Sequence, residues 1–279
     1  MPVRLIALDI DGTLLDDRSQ IPESNRKAIA EASARGIEVA LVTGRRYDFA
    51  IPIARQLPCP ITMIVNNGAM VKSSNGVTQL RHLLSREVAL RVIELTPQFR
   101  DLASVCFDRP CENQLVFERI PWDDPTRRGY LDRNLEFLAE VSPLQNCLTE
   151  DPIQVMFTGA TSLLREAAAC LERLPISSDY SLAVTFYDDR NFGLVDVISH
   201  GCSKGATLAE WVTRRGWSRE DVMAIGDNHN DLEMLQYAGL PIVMGNSVPE
   251  LKSLGWHETL TNDQGGVAAA IETYALGEG

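Results

Sequence analysis

The chain opens on a mostly aliphatic run, Val3–Leu8, in which apolar and polar residues do not clearly alternate. Such a run is typical of a strand buried on both faces, as in the middle of a parallel sheet. Two carboxylates, Asp9 and Asp11, follow where the run ends. Residues two apart in an extended chain project to the same side, so both acids can face one site at the strand's carboxyl end. Asp-Gly between apolar residues is also a strong hairpin signal, so Asp11-Gly12 can equally be a simple turn.

Length and charge narrow the classes of protein to which the chain can belong. With 279 residues it is long enough for two domains. The formal net charge of −12 argues against a nucleic-acid partner and against an anionic membrane surface. No apolar segment has the length of a membrane helix and no secretory signal is recognisable, so we expect a cytoplasmic protein. The six cysteines lack metal-ligand spacing and are expected to be reduced thiols.

The order of the predicted elements indicates two modules. Helix and strand patterns alternate from the opening strand to residue 65 and again from residue 203 onward. This alternation predicts a doubly wound parallel α/β sheet. Between these segments, helices and adjacent strands cluster, which favours an inserted α+β module with helices over Arg86–Phe99, Tyr130–Ala139 and Ser162–Leu174. We therefore predict a discontinuous core of residues 1–83 and 198–279, and an inserted domain of residues 84–197.

Three further polar stretches follow predicted strands or open a predicted helix. Thr43-Gly44 ends the second strand and suits a phosphate group, although Thr and Gly are also common in ordinary turns. Lys204 lies in the first turn of a predicted helix, where the helix dipole disfavours a cation. Such an unfavourable position often marks a functional site, and the alternative is an ordinary exposed lysine. Asp227 and Asp231 follow a buried strand and can hold a hard cation through oxygen ligands, or belong to a polar loop.

Taken together, these motifs resemble the haloacid dehalogenase superfamily of phosphohydrolases. The closer similarity is to its Cof-type branch (type IIB), which carries a large α/β cap inserted after the third core strand. The matching segments are Asp9–Leu15, Val42–Arg45, Asn66–Ala69, Ser203–Gly205, Gly226–Asp231 and Asn262–Val267. The resemblance covers both halves of the core and the position of the cap, and says little about the cap's own residues.

The resemblance implies a catalytic and metal-binding set. Asp9 would be the nucleophile that forms an aspartyl-phosphate, and Asp11 would be the general acid and then the general base. A Mg²⁺ ion would be held by the Asp9 carboxylate, the Asp11 backbone carbonyl and Asp227, with Asp231 close by as an outer-shell or water-mediated ligand. An aspartate at position 11 fits hydrolysis of phosphate monoesters, since it can protonate an alkoxide leaving group.

The same resemblance implies how the substrate is bound. Thr43, Gly44, Lys204 and Asn230 would bind the phosphoryl oxygens, and the inserted domain would close over a small phosphorylated substrate and supply specificity. The expected activity is a Mg²⁺-dependent phosphatase. Two alternatives remain open, namely a phosphomutase or phosphotransferase that uses the same residues, and a non-catalytic binder of phosphorylated ligands. Neither the physiological substrate nor the oligomeric state follows from the sequence.

Overall fold

A strand paired on both edges lies near the middle of the larger of two sheets in the computed structural model, which describes residues 3–277. The chain divides into two compact units, with boundaries between residues 81 and 82 and between residues 202 and 203. The predicted core domain begins at residue 1 and ends at residue 279, and its residues 1–2 and 278–279 lie outside the described residues. The first unit therefore contains both terminal segments of the described chain, and the second unit is inserted between them.

The first segment of the larger unit alternates strands and helices, as the sequence predicts. Its elements are β1 (Leu5–Leu8), α1 (Glu23–Ala34), β2 (Glu38–Val42), α2 (Tyr47–Ala54), β3 (Ile61–Val65), β4 (Met70–Ser73) and β5 (Thr78–Arg81). The inserted unit follows with α3 (Arg86–Leu95), β6 (Ala103–Cys106), β7 (Leu115–Phe117), α4 (Pro125–Arg133), β8 (Leu138–Glu140), β9 (Gln154–Gly159), α5 (Thr161–Leu171), β10 (Tyr180–Tyr187) and β11 (Phe192–Ser199). The chain then returns with α6 (Lys204–Arg214), β12 (Val222–Gly226), α7 (Leu232–Tyr237), β13 (Leu240–Val243), α8 (Pro249–Lys252), β14 (His257–Glu258) and α9 (Gly266–Ala270).

The larger unit has an eight-stranded sheet in the order β14-β13-β12-β1-β2-β3-β4-β5. The six strands from β14 to β3 are parallel, which confirms the predicted doubly wound α/β fold. All four residues of β1 are fully buried, because the strand is paired on both edges and covered on both faces. Its register places Leu8 beside Leu41 of β2 and Ile225 of β12. The carboxyl ends of these three strands therefore meet at one edge of the sheet.

Two strands of this sheet, β4 and β5, were not predicted from the sequence. They add to β3 as an antiparallel hairpin, with an irregularity between Val71 and Lys72. Met70, Val71 and Leu80 are buried, but polar residues that are partly buried or exposed interrupt them, so these strands lack the continuous aliphatic signal of the central strands. The sheet is thus mixed at one side and parallel elsewhere.

The inserted unit has a six-stranded sheet in the order β10-β11-β9-β6-β7-β8, in which only the β7–β8 pair is parallel. Apolar residues of α3 and α5 pack against one face of this sheet and form its core, among them Val92 and Leu164 with Val155 and Phe157. Separate helices on an antiparallel-rich sheet confirm the expected α+β organisation.

The predicted helix over Tyr130–Ala139 is wrong in its limits. The helix α4 spans Pro125–Arg133, because the Asp124 side chain accepts a hydrogen bond from Thr126 N–H and Pro125 occupies the first turn. Asn134 ends it, and the chain continues into the short strand β8. Among residues 3–277, no helix is both long enough and apolar enough to cross a membrane.

Candidate active site

Asp9 leaves the carboxyl end of β1 and begins the site. Its backbone N–H donates to the Ile225 carbonyl of β12 at 3.1 Å, so the parallel pairing continues to this residue. The chain then turns through Ile10–Leu14, where Gly12 has a φ of 80°. A Cβ at Gly12 would overlap the carboxylate of Asp227, so both the backbone conformation and the close approach require glycine here. The choice between a turn and an acidic pair is resolved, since this stretch is both.

Lys204 is the buried cation of the site. Its Nζ lies 2.6 Å from Asp9 Oδ1 and 2.7 Å from Asp231 Oδ1. The side chain of Lys204 is 1% exposed, so the lysine is not a surface residue. Ser203 caps the helix, because its Oγ accepts a hydrogen bond from Ala206 N–H at 3.0 Å. A cation in the first helical turn is unfavourable with respect to the helix dipole, and two carboxylates at hydrogen-bond distance offset that cost.

Asp231 and Asp227 occupy the loop after β12 in different ways. Asp231 Oδ2 accepts hydrogen bonds from the backbone N–H groups of Asp227 and Asn228, at 3.0 and 3.1 Å. Since its other oxygen contacts Lys204, Asp231 is fully engaged by the protein. Asp227 Oδ1 accepts a hydrogen bond from Thr13 Oγ1 at 2.9 Å. Asp227 Oδ2 has no equivalent contact in the described residues, and it faces the turn that follows Asp9.

These carboxylates form a group that can hold a metal ion. One oxygen from each of Asp9, Asp227 and Asp231 lies within 4.8 Å of the others, and all three residues are buried. Lys204 can neutralise only one of the three charges, so a further cation is needed to balance the group. The donors are hard oxygen atoms, which suit Mg²⁺. The residues of this site therefore fit the divalent metal that the sequence motifs imply.

The electrostatics of the site reflect this crowding. Burial raises the pKa of Asp9 well above its usual range, and the charge of Asp231 adds to this against the opposing effect of Lys204. Burial and the charge of Asp231 likewise raise the pKa of Asp227 to about 7. Burial alone lowers the pKa of the Lys204 ammonium, but the charges of Asp231 and Asp9 outweigh it and raise that pKa overall. The lysine therefore stays charged, while the neighbouring carboxylates repel one another.

The Asp11 carboxylate lies outside this buried group. Arg45 contacts both of its oxygens, with Nε to Oδ2 at 2.7 Å and Nη2 to Oδ1 at 2.6 Å. The Asp11 side chain is 46% exposed, against 7% for Asp9. The two acids of the opening motif therefore have different environments, one desolvated beside Lys204 and the other accessible and held in place by an arginine.

The predicted phosphate-binding residues occupy the adjoining strand ends. Thr43 is buried immediately after β2, and its Oγ1 accepts a hydrogen bond from Arg45 N–H at 3.1 Å. Gly44 follows it, and a Cβ there would lie 2.8 Å from Asn67 Oδ1. Asn230 lies in the single turn His229–Asp231 and is half-buried. The phosphate-binding role of these three residues stays a prediction.

The turn Asn66–Gly68 after β3 braces this part of the site. All three residues have positive φ values, of 53°, 54° and 103°. The Asn66 N–H donates to the Arg45 carbonyl at 2.9 Å and the Asn67 N–H to the Thr43 carbonyl at 3.1 Å. The Gly68 carbonyl accepts a hydrogen bond from Thr207 Oγ1 of α6 at 2.8 Å. This strained turn therefore connects the loop that carries Thr43 to the helix that carries Lys204.

Sequence reasoning assigned no role to two residues that contact the site directly. Thr13 is fully buried and orients Asp227, and Arg45 holds Asp11. Both stand inside the matching motifs, directly after the glycines Gly12 and Gly44. A polar residue following a glycine that closes a strand-end turn is the signal that could have identified them.

A glycine pair gives a direct test of the close packing at the turn. We expect Gly12→Ala to weaken the binding of a divalent metal ion at this group at least tenfold, because the new methyl group displaces the Asp227 carboxylate. Calorimetric titration with MgCl₂ measures this. Gly36→Ala is the matched control, since Gly36 has a φ of 84° and nothing within 4 Å of its Cβ position. Both variants carry a left-handed cost of about 1–2 kcal/mol. Equal Mg²⁺ affinities in the two variants would contradict the packing argument.

Comparison with protein families finds one matching family model. It is described as haloacid dehalogenase-like hydrolase, and it matches residues 6–271. The match spans the motif segments of both core halves and the inserted unit.

Similar proteins of known activity include two bacterial phosphatases. A 5-amino-6-(5-phospho-D-ribitylamino)uracil phosphatase of Bacillus subtilis is 29% identical over 274 residues, with 98% of this chain and 96% of the relative covered. A pyridoxal phosphate phosphatase of Escherichia coli is 29% identical over 265 residues, with 91% and 92% covered. Among solved structures, a haloacid dehalogenase-like hydrolase from Bacteroides thetaiotaomicron has a TM-score of 0.78 at 25% identity, covering 97% and 98% of the two chains.

Proposed function

Because the chain belongs to the haloacid dehalogenase-like hydrolase family, we propose that it is a Mg²⁺-dependent phosphatase that hydrolyses phosphate monoesters of small metabolites through an aspartyl-phosphate on Asp9. The observation that carries the proposal is the buried contact of Lys204 with Asp9 and Asp231. Stability alone is a weak reason to bury an ammonium with several carboxylates, since the desolvation of these charges costs free energy. A site that binds phosphate and a metal gives such a buried group a purpose, because active sites are where burial and neighbouring charges are combined.

The proposed reaction assigns separate roles to the two acids of the opening motif. An Asp9 oxygen attacks phosphorus in line with the ester oxygen, whose bond to phosphorus breaks as Asp11 donates a proton to it. Water then attacks the phosphorus of the aspartyl-phosphate as Asp11 accepts its proton, the bond between the Asp9 oxygen and phosphorus breaks, and inorganic phosphate is released with the Asp9 carboxylate restored. Arg45 holds the accessible Asp11 carboxylate in one orientation through both of its oxygens, so Asp11 would leave this contact and take up a proton before it acts as the acid.

The remaining residues would lower the charge barrier between an anionic nucleophile and an anionic substrate. Lys204 and Thr43 would bind the phosphoryl oxygens, with Gly44 N–H and Asn230 as further donors. Asp9, Asp227 and the Asp11 backbone carbonyl would hold Mg²⁺, which supplies charge neutralisation at the phosphoryl group. Asp231 would remain bound to Lys204 and the backbone, as its hydrogen bonds indicate, and would act as an outer-shell or water-mediated ligand of the metal.

The similar proteins support the substrate class. The two bacterial relatives described above are named for phosphatase activity on a phosphorylated ribityl compound and on pyridoxal phosphate. Both names denote phosphate monoesters of small metabolites, which is the class proposed for this chain.

Metal dependence is the next prediction. We expect hydrolysis of p-nitrophenyl phosphate to vanish in excess EDTA and to return on addition of MgCl₂. Asp227→Asn should raise the half-saturating MgCl₂ concentration at least tenfold, because the amide keeps the shape of the side chain but removes one anionic ligand. Full activity in EDTA, or unchanged half-saturation in the variant, would exclude the proposed metal site.

The function itself is tested by product analysis with a panel of phosphorylated sugars, nucleotides and cofactors. Release of inorganic phosphate in step with substrate loss supports hydrolysis. Transfer of the phosphoryl group to a sugar hydroxyl, without release of phosphate, indicates the phosphotransferase alternative. Tight binding of a panel member without turnover indicates a binding protein instead.

A further inference from the structure

The loop that carries the acidic pair is held from outside by three asparagine side chains. Asn246 Nδ2 donates to the Gly12 carbonyl at 2.8 Å. Asn25 Nδ2 donates to the Leu14 carbonyl at 3.3 Å, and Asn262 Nδ2 donates to the Leu15 carbonyl at 3.1 Å. We call Asn25, Asn246 and Asn262 the asparagine clamp. Three successive attachment points thus come from parts of the chain that are far apart in sequence.

The clamp residues are themselves fixed by further hydrogen bonds. The Asn262 backbone N–H donates to Asn246 Oδ1 at 2.9 Å, so these two residues act as a connected pair. Asn25 Oδ1 accepts from the Ala268 N–H at 3.0 Å. Asn25 and Asn262 are buried, at 0% and 5% exposure. The side-chain amides of Asn25 and Asn246 each have hydrogen bonds at both ends, so each has one orientation, which it imposes on the carbonyl that it contacts.

The clamped carbonyls lie in the same short segment as the residues that build the site. Asp9, Asp11 and Thr13 supply side chains to the site, and the carbonyls of Gly12, Leu14 and Leu15 are taken up by the clamp. A fourth attachment follows, in which Asp263 Oδ1 accepts a hydrogen bond from the Asp17 N–H at 2.9 Å. The loop is therefore fixed along its outer side while its inner side faces the other carboxylates.

We propose that Asn246 and Asn262 are positioning residues, which hold the Asp9–Thr13 loop in the geometry required for metal binding and phosphoryl transfer. The inference rests on the proposed function, and it assigns a purpose to the Asn262–Val267 motif, which the reaction itself does not use. Neither asparagine would touch the substrate. Each acts through the loop, because a peptide that rotates at Gly12 also moves the Asp11 carbonyl and the Thr13 hydroxyl.

Asn246 is the better residue to test, because it is exposed and its loss leaves no large cavity. Asn246→Ala removes the donor to Gly12 and the acceptor for Asn262. We expect kcat for p-nitrophenyl phosphate at saturating MgCl₂ to fall by about 10–100-fold, with KM changed by less than about twofold. Asn246→Gln restores an amide donor and should recover part of the loss. Asn146→Ala, an exposed asparagine of the inserted unit, is the control and should match the unsubstituted protein.

A second readout does not depend on activity. Amide hydrogen exchange in the peptide covering residues 10–17 should accelerate at least about tenfold in Asn246→Ala, with exchange in β1 unchanged. The half-saturating MgCl₂ concentration, from calorimetric titration, should rise with it. In the double variant Asn246→Ala/Asn262→Ala, the loss in kcat should be smaller than the product of the single losses, because the two side chains act as one unit.

The possible outcomes distinguish failure of the clamp proposal from failure of the proposed function. Faster exchange of the loop with unchanged kcat and Mg²⁺ affinity would overturn the proposal, since the clamp would then be purely structural. Unchanged exchange would overturn it as well. If the unsubstituted protein hydrolyses nothing, the proposed function fails, and the clamp is decided by exchange and Mg²⁺ affinity alone. Changes in both in Asn246→Ala would support it, and a change in neither or in one would refute it.

Discussion

Asp9→Asn is expected to lower kcat for p-nitrophenyl phosphate at least about 1,000-fold, with the fold intact. The amide has nearly the shape of the carboxylate but cannot form the covalent phosphoryl intermediate. Steady-state kinetics at saturating MgCl₂ measures the loss. The exposed Asp123→Asn is the matched control for the same chemical change and should leave kcat unaltered. An Asp9→Asn enzyme that keeps more than a tenth of the activity would exclude Asp9 as the nucleophile.

The same variant should not lose stability in the absence of metal. Because the pKa of Asp9 is raised on folding, ionisation of this carboxyl opposes folding as the pH rises above the usual carboxyl range. Asparagine removes that charge and its repulsion with Asp231, and Lys204 keeps Asp231 as a partner at 2.7 Å. We therefore expect the melting temperature in EDTA at neutral pH to stay level or rise. A large fall would show that the loss of activity reflects unfolding.

Lys204→Met is expected to destabilise the protein by about 3–5 kcal/mol, the typical cost of removing one partner from a buried ion pair. The substitution leaves Asp9 and Asp231 buried without a counter-charge, in a site that already contains Asp227. Equilibrium denaturation in urea, followed in EDTA, measures the change in the free energy of unfolding. The exposed Lys27→Met is the control and should stay within about 0.5 kcal/mol of the unsubstituted protein.

A double variant distinguishes this electrostatic cause from simple loss of packing. Lys204→Met/Asp9→Asn should be more stable than Lys204→Met alone, because one of the two stranded charges is removed. Addition of MgCl₂ should also recover part of the loss in Lys204→Met, since the cation would neutralise the remaining carboxylates. A loss below about 1 kcal/mol in Lys204→Met, or no recovery in the double variant, would contradict the charge-balance argument.

The strands that carry the site were predictable because their signal is local. Val3–Leu8 and residues 222–226 are aliphatic runs that end in acids, and this pattern is legible without knowledge of the fold. The hairpin β4–β5 lacks such a run, since polar residues interrupt its buried Met70, Val71 and Leu80. The start of α4 depended on Asp124 and Pro125 rather than on an apolar stripe, because only Arg127 and Leu131 of that helix are buried.

The contacts within the site needed the structure. The resemblance placed Asp9, Asp227 and Asp231 around one metal ion and Lys204 on the phosphate, and the structure adds that Lys204 lies 2.6 Å from Asp9 and 2.7 Å from Asp231. The contact of Arg45 with Asp11 and the contacts of the asparagine clamp link residues remote in sequence. Long-range hydrogen bonds leave no periodicity in a sequence, so no pattern within one chain predicts them.

The pairing of β1 with β12 has a consequence for how the chain is synthesised. Leu5 is aligned with Val222 in the sheet. During synthesis, the second edge of β1 therefore stays unpaired until residue 222 has been made. During that interval an unpaired aliphatic edge, Leu5–Leu8, is open to strands of other molecules. The inserted unit has its own sheet and apolar core, and it can fold before residue 222 leaves the ribosome. Assembly of the catalytic residues therefore has to await β12, and a chain truncated before β12 should aggregate rather than form a partial enzyme.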